Sequence, residues 1–330
     1  MNRSKIVWAD HTWNPITGCQ SQCERCRYKS IINGLTYGDH RLNLSQTDFY
    51  HDDGDLKILD DQFVSETGAE SKYPFGHMPT YHRYRLDRIG ILKTGKNIVC
   101  GTIGEMFGYS SQADCYQEIF DACKANPQHN YMFLSAAGYG GLWVDDIIPR
   151  QDNMWYGSVV YNAREPIFTA KGYHCFAYMN PTEDLVHSLV ARNVQTEWIV
   201  IGTGGCKYRK RKLPPREWID NILEYADLYL IPVYMEDCFA DMYPDGLRKE
   251  YPSQLRWEAG KRLSGRLKNK LMTSCGKCGK ENLKADMVAI QGRVKRHIPA
   301  KLMGYICRGC FDSFCSEFDF KNLFGGNDDG

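Results

Sequence analysis

Six short apolar runs, rich in β-branched and aromatic residues, recur along the chain at 98–103, 131–135, 154–160, 173–179, 197–202 and 228–235. Most are nearly continuous rather than alternating, the pattern of strands buried on both faces of a parallel sheet. Helical patterns separate several of them. Residues 112–125 place Cys115, Ile119, Ala122 and Cys123 along one side, and 182–193 offer Leu185, Leu189 and Val190 on one face, with Pro181 or Thr182 near the start. Residues 214–226 open on two prolines, a fitting helix entrance, and carry Trp218, Ile222 and Tyr225. Strand–helix alternation predicts an α/β sheet with right-handed crossovers. With a strand near 15–18 added, the count fits a full or partial (β/α) barrel, whose chemistry sits at the C-terminal ends of the strands.

Directly after that first strand come three cysteines, Cys19, Cys23 and Cys26, spaced C-x3-C-x2-C. Three thiolates can hold three irons of a 4Fe–4S cluster, where a fourth would close it for electron transfer. The missing fourth leaves one iron open to a substrate or cofactor. Two other readings stay open: a zinc site completed by a distant ligand, and three unrelated buried cysteines. An odd cluster does not suit a disulfide framework.

The chain has 330 residues, enough for one large domain and a small one, and 43% of them are hydrophobic, enough for a substantial core. It holds 14 cysteines but no apolar signal segment at its start and no run of about eighteen apolar residues. A cytoplasmic protein with no membrane span is expected, its cysteines serving as metal ligands and buried apolar residues. The net charge of +1 excludes no partner, but charge is unevenly spread. Residues 48–70 carry eight acids against Lys57 alone, and five of the six residues 207–212 are basic. Between 30 and 97 the periodicity breaks down, and this stretch reads as an insertion over the barrel mouth, either a lid or a solvated loop. Within it, His77, Tyr81 and His82 are candidates to face substrate.

A second cysteine pattern lies near the C-terminus. Cys275 and Cys278 form one C-x2-C knuckle, and Cys307 and Cys310 another. Paired knuckles are a strong zinc signal, and four thiolates close the shell, so a structural site is expected; the alternatives are a redox dithiol pair, or Cys315 or His297 as a substitute ligand. Strands at 287–290 and 302–306 would flank a basic loop between the knuckles. The metal would supply most of the folding energy of so small a module. The predicted organisation is a barrel domain over 1–265, with its insertion at 30–97, and a zinc-ribbon-like module with an acidic tail over 266–330.

The opening stretch Trp8-Ala9-Asp10-His11-Thr12-Trp13-Asn14-Pro15-Ile16-Thr17-Gly18-Cys19 resembles the phage-associated radical-SAM-like proteins, whose openings read W-x-D-x-T-W-N-P-x-T-G-C. Weaker echoes follow at 153–157, 197–202, 231–237 and 248–252. The resemblance implies a barrel of the radical SAM type, a 4Fe–4S cluster on Cys19, Cys23 and Cys26, and S-adenosylmethionine on the open iron, from which a 5′-deoxyadenosyl radical is released. It also implies an electron donor such as a flavodoxin or ferredoxin. Carried over to this chain, Gly101 and Gly104 would let the backbone approach the cofactor, Glu105 would hold its ammonium, and Gly202 and Gly204 would flank the adenosine or the substrate. Two departures stand out. Arg25 takes the place of an aromatic residue before the third cysteine, leaving Tyr28 or Arg25 to meet the adenine, and Gly204-Gly205-Cys206 replaces a segment that often carries an acid.

The basic run 207–212, the basic stretch 256–270 and the zinc module could together form a phosphate-binding surface. Nucleic acid, or a nucleotide, is therefore the favoured substrate. The alternatives are a nucleic-acid-binding protein that carries iron–sulfur and zinc sites without turnover, and a radical modifier of a peptide or protein.

Overall fold

The structure, a computed structural model, describes residues 2–4, 6–20, 29, 32, 51–53, 56–65, 68–107, 113–139, 147–186, 196–203 and 213–255, with four further strands at 272–274, 281–283, 287–292 and 301–307. The chain forms two compact units, Met1–Arg248 and Lys249–Gly330. The boundary read from composition, 265/266, falls outside the described residues.

In the first unit, β1 (Asn2–Arg3) pairs antiparallel with β2 (His11–Trp13). A separate four-stranded sheet is built from β3 (Ile16–Thr17), β4 (His51–Asp53), β5 (Leu56–Leu59) and β6 (Thr80–His82), in the order β3-β6-β5-β4. The main sheet continues through β7 (Asn97–Cys100), β8 (Asn130–Ser135), β9 (Met154–Val160), β10 (His174–Met179), β11 (Trp198–Ile201) and β12 (Val233–Met235). Its order is β1-β2-β7-β8-β9-β10-β11-β12, with every pairing from β2 onward parallel. Among the described residues this is a mixed α/β fold around seven parallel strands.

The sheet curls into a half-barrel. Trp8, in the turn between β1 and β2, lies against Phe176 and Tyr178 of β10 and Trp198 of β11, with ring centroids 6.2, 6.0 and 5.7 Å away. In a flat sheet β10 would lie four strand spacings, about 19 Å, from β2. The Tyr234 hydroxyl of β12 also donates to the Val7 carbonyl at 3.4 Å. Both contacts require the far strands to fold back toward the first.

Alternation along each strand sorts the two faces. On the outer face, Ile98, Cys100, Tyr131, Phe133, Met154 and Tyr156 pack with Cys115, Tyr116, Ile119, Phe120 and Cys123 of helix α1 (Ala113–Lys124). Ala177, Met179, Ile199, Ile201, Val233 and Met235 pack with Ile219, Ile222, Tyr225 and Ala226 of helix α2 (Arg216–Leu228). The intervening residues, among them Trp155, Phe176, Tyr178, Trp198 and Tyr234, therefore line the concave side, and all are buried.

All six apolar runs contain a strand, but two placements differ from expectation. The first barrel strand is His11–Trp13, and residues 16–17 belong to the second sheet instead. Only 233–235 of the last run is extended. Its start ends α2, where Leu230 adopts φ 56° and the Ile231 N–H reaches back to the Ala226 carbonyl at 2.8 Å. That is a left-handed helix stop, and it leaves Leu228, Tyr229 and Leu230 exposed. The helix expected over 182–193 lies largely outside the described residues.

In the second unit, β13 (Met272–Ser274) pairs antiparallel with β14 (Glu281–Leu283), and β15 (Met287–Gly292) with β16 (Lys301–Cys307). Strands at 287–290 and 302–306 were expected from the sequence. No helix among the described residues is long and apolar enough to cross a membrane.

Candidate functional site

The C-terminal ends of β2 and β7 meet at one corner of the half-barrel, and the W-N-P-x-T-G-C stretch builds that corner residue by residue. Trp13 packs in the outer core and donates its indole N–H to the Arg85 carbonyl at 3.0 Å. Asn14 clamps the neighbouring strand end: its Oδ1 accepts the Thr102 N–H at 2.7 Å and its Nδ2 donates to Thr102 Oγ1 at 3.1 Å. The Pro15 carbonyl takes the His82 N–H at 2.7 Å. Thr17 Oγ1 lies 2.8 Å from His82 Nε2. Burial pushes the His82 pKa well below its ordinary value, so this ring is a neutral strut beneath the loop.

Gly18 and Gly104 then cross at backbone distance. The Gly18 N–H donates to the Ile103 carbonyl at 3.0 Å, and the Glu105 N–H to the Gly18 carbonyl at 3.1 Å. Both glycines have positive φ, 81° and 119°, and a Cβ on Gly104 would stand 2.0 Å from the Gly18 oxygen. Only glycine fits this crossing. It sets Cys19 beside the β7 end, with the Cys19 N–H donating to the His77 carbonyl at 3.1 Å. Cys19 is half-buried and in no disulfide. Cys23, Cys26 and Tyr28 lie outside the described residues.

Glu105 is buried, and its carboxylate accepts four hydrogen bonds. Oε1 takes the Phe107 N–H at 3.1 Å and the Ser135 hydroxyl at 2.8 Å; Oε2 takes the N–H groups of Ala136 at 2.9 Å and Ala137 at 3.0 Å. The Ser135 hydroxyl also lies 2.6 Å from the Gly138 carbonyl and has one proton to share between the two acceptors. Glu105 fastens the loop after β8 to the loop after β7, and an ammonium would compete there with the donors already in place. Gly101, with φ 76°, lies against the Leu134 carbonyl in the same corner.

The far end of the sheet, at β10 to β12, holds a second polar group, of which sequence reading singled out Gly202 alone. Tyr178, Gly202 and Glu236, from β10 and the ends of β11 and β12, share the concave face. The Tyr178 hydroxyl donates to Glu236 Oε1 at 3.3 Å. The neighbouring Thr203 donates its hydroxyl to Cys238 Sγ at 3.6 Å. The signal was available in alternation: Glu236 continues the inward register of Tyr234. Gly204 lies outside the described residues.

The remaining candidates separate. His77 is half-buried, and burial and then the Lys29 charge lower its pKa, so it is neutral near pH 7. Tyr81 is buried in the outer core and donates to Glu118 Oε2 at 2.7 Å. Tyr81 and His82 therefore hold the second sheet in place rather than face a ligand. Of the zinc candidates, Cys307 ends β16, while Cys275, Cys278 and Cys310 lie outside the described residues. Among the described residues, no three His, Cys, Asp or Glu side chains converge on a metal position.

The fold and site define a mixed α/β protein, a half-barrel of seven parallel strands with a glycine-seated cysteine beside the end of its second strand, β7. Residues 3–271 match the family described as protein of unknown function (DUF5131), and the chain belongs to that family. The match stops short of Cys275. No curated protein matches the chain. A solved spore photoproduct lyase, in a form with one cysteine changed to serine, is similar with a TM-score of 0.40 and 10% identity. That likeness covers 71% of this chain and 78% of the other.

Proposed function

We propose that the protein is a radical S-adenosylmethionine enzyme acting on a nucleic acid or a nucleotide. The observation that carries this reading is the seat of Cys19, at a parallel-strand end where such barrels do chemistry. Its backbone is locked by the Gly18–Gly104 crossing, and its thiol is in no disulfide. Cys19, Cys23 and Cys26 are the thiolates that would hold a 4Fe–4S cluster, and their number leaves one iron for S-adenosylmethionine. When bound, the cluster and S-adenosylmethionine supply a 5′-deoxyadenosyl radical for hydrogen abstraction.

This chain's own residues do the positioning. Asn14, Thr102 and the glycine crossing fix the cysteine loop to the β7 end, and Glu105 braces the adjoining loop without itself needing to touch a ligand. The aromatic concave face excludes water from below. On the same reading the electrons come from a flavodoxin or ferredoxin, and the phage association of the proteins its opening resembles extends to this chain.

Anaerobic reconstitution with iron and sulfide, then reduction in the presence of S-adenosylmethionine, tests the proposal. A 4Fe–4S Mössbauer signature with release of 5′-deoxyadenosine supports it, and Cys19→Ala should abolish both. A reducible cluster that leaves S-adenosylmethionine intact would instead favour a non-catalytic iron–sulfur protein.

In the second unit we propose a structural zinc on Cys275, Cys278, Cys307 and Cys310. The first knuckle falls in the connection between β13 and β14, and the second begins where β16 ends. Elemental analysis should find about one zinc per chain. Cys278→Ser should lose it while leaving the iron content unchanged.

A further inference from the structure

Two separate parts of the chain hold the cysteine turn. The loop after β7 binds Gly18, through the Ile103 carbonyl at 3.0 Å and the Glu105 N–H at 3.1 Å. The next residue is held from the other side, by the turn that leads into β6. The Cys19 N–H donates to the His77 carbonyl at 3.1 Å. In return the His77 ring is hydrogen-bonded to the Cys19 backbone. Burial and then Lys29 lower the pKa of this ring, and the bond to Cys19 opposes them, as a ring N–H donating to a carbonyl does. One residue thus engages both backbone polar groups of Cys19.

The sequence around His77 builds a firm jaw for this grip. Gly76 takes φ 63°, its N–H reaches the Tyr73 carbonyl at 3.0 Å, and the Met78 N–H reaches the Phe75 carbonyl at 3.3 Å. Phe75 is buried with Leu59 and Phe63, and Tyr84 packs against them. The Arg85 guanidinium lies 5.9 Å from the centre of the Tyr73 ring and donates to the Lys72 and Asn14 carbonyls, each at 2.8 Å. That arginine ties the jaw to the end of β2, from which the cysteine turn springs. The approach is close: a Cβ on Gly18 would stand 2.3 Å from the Met78 oxygen and 2.7 Å from the His77 oxygen. Only glycine at 18 lets the jaw come this near.

We propose that His77 is a positioning residue for Cys19, gripping its backbone from both sides and so fixing where its thiol stands. The inference rests on the iron–sulfur reading above and deepens it. A neutral imidazole carries a single N–H, so spending it on the Cys19 carbonyl also fixes the tautomer of the ring. A ligand residue held in place before the metal arrives loses less freedom on binding it. A donor beside a cluster ligand also helps to stabilise the electron added on reduction.

Alkylation of the metal-free, reduced protein by iodoacetamide, with the Cys19 peptide followed by mass spectrometry, tests the grip. His77→Ala should speed modification of Cys19 about fivefold, the weight of one lost hydrogen bond. His77→Gln keeps a side-chain N–H donor and should bring the rate most of the way back to wild type. Cys238, half-buried just after β12, should react at an unchanged rate in both variants. After anaerobic reconstitution the 4Fe–4S reduction potential should fall in His77→Ala and recover in His77→Gln. An unchanged Cys19 rate in His77→Ala, no recovery in His77→Gln, or equal acceleration of Cys238 overturns the role of His77 and leaves the iron–sulfur reading standing. Wild-type protein that takes up no iron overturns that reading, while the alkylation rates still decide the grip.

Discussion

At the residue scale the decisive feature is how few atoms separate Gly18 from Gly104. The crossing needs positive φ on both sides and no Cβ between them. Gly104→Ala combines backbone strain with a direct clash against the Gly18 carbonyl, and should destabilise the first unit by about 2–5 kcal/mol. Urea unfolding would measure the loss, and the iron bound after reconstitution should fall with it. His174 gives a second residue-level expectation, at the other end of the strands. Its Nδ1–H donates to Glu197 Oε2 at 2.8 Å, and its ring stacks on Trp155 at 4.7 Å. That hydrogen bond raises its pKa above 6.5, against a smaller opposing effect of burial, with Glu197 and Asp152 the charges that act on it. A raised folded-state pKa means that the stabilisation is complete below about pH 6.5 and is lost as pH rises through the higher folded value. Wild-type protein should therefore lose stability from pH 6 to pH 8 by more than His174→Gln does, as read from urea midpoints at the two pH values.

Elements explain why the stretch 30–97 is neither a free lid nor a plain surface loop where it is described. Strands β4 to β6 form a sheet with β3, and Ile16, Leu56, Ile58 and Tyr81 join the same core as α1. One carboxylate ties this sheet to the helix: Glu118 Oε2 accepts from the Tyr81 hydroxyl at 2.7 Å and from Arg83 Nε at 2.8 Å, and Arg83 also pairs with Asp60. The ion pairs are well exposed and contribute little by themselves. The buried phenol matters more. Glu118→Ala should cost about 1–3 kcal/mol, mostly by leaving the Tyr81 hydroxyl without its acceptor. Combining it with Tyr81→Phe should cost less than the sum of the two single changes, a non-additivity that a double-mutant cycle measures. Additive losses would show that the two groups are not coupled.

Over the whole first unit, Trp8 is the residue that makes a sheet into a half-barrel. It is 1% exposed and touches strands four and five places along the sheet from β2. Trp8→Ala should cost about 3–5 kcal/mol. Its indole N–H meets no acceptor among the described residues, so Trp8→Phe forfeits no hydrogen bond and should retain most of the stability. Thermal unfolding of the two variants would separate them.

Much of this architecture was legible in the chain. Continuous apolar runs marked six of the seven parallel strands, because a strand covered on both faces admits few polar residues. Side-chain period placed α1 and α2, and the cysteine spacing drew attention to Cys19, which the structure seats beside the β7 end. The sequence could not place β2 three residues before β3, since the two strands belong to different sheets and only their partners distinguish them. Nor could it show that Glu105 is tied to the β8 loop, or that Tyr178, Gly202 and Glu236 converge. Those facts depend on residues brought from 30 to 58 positions away, and long-range proximity is decided by how the sheet curls, which no local pattern encodes.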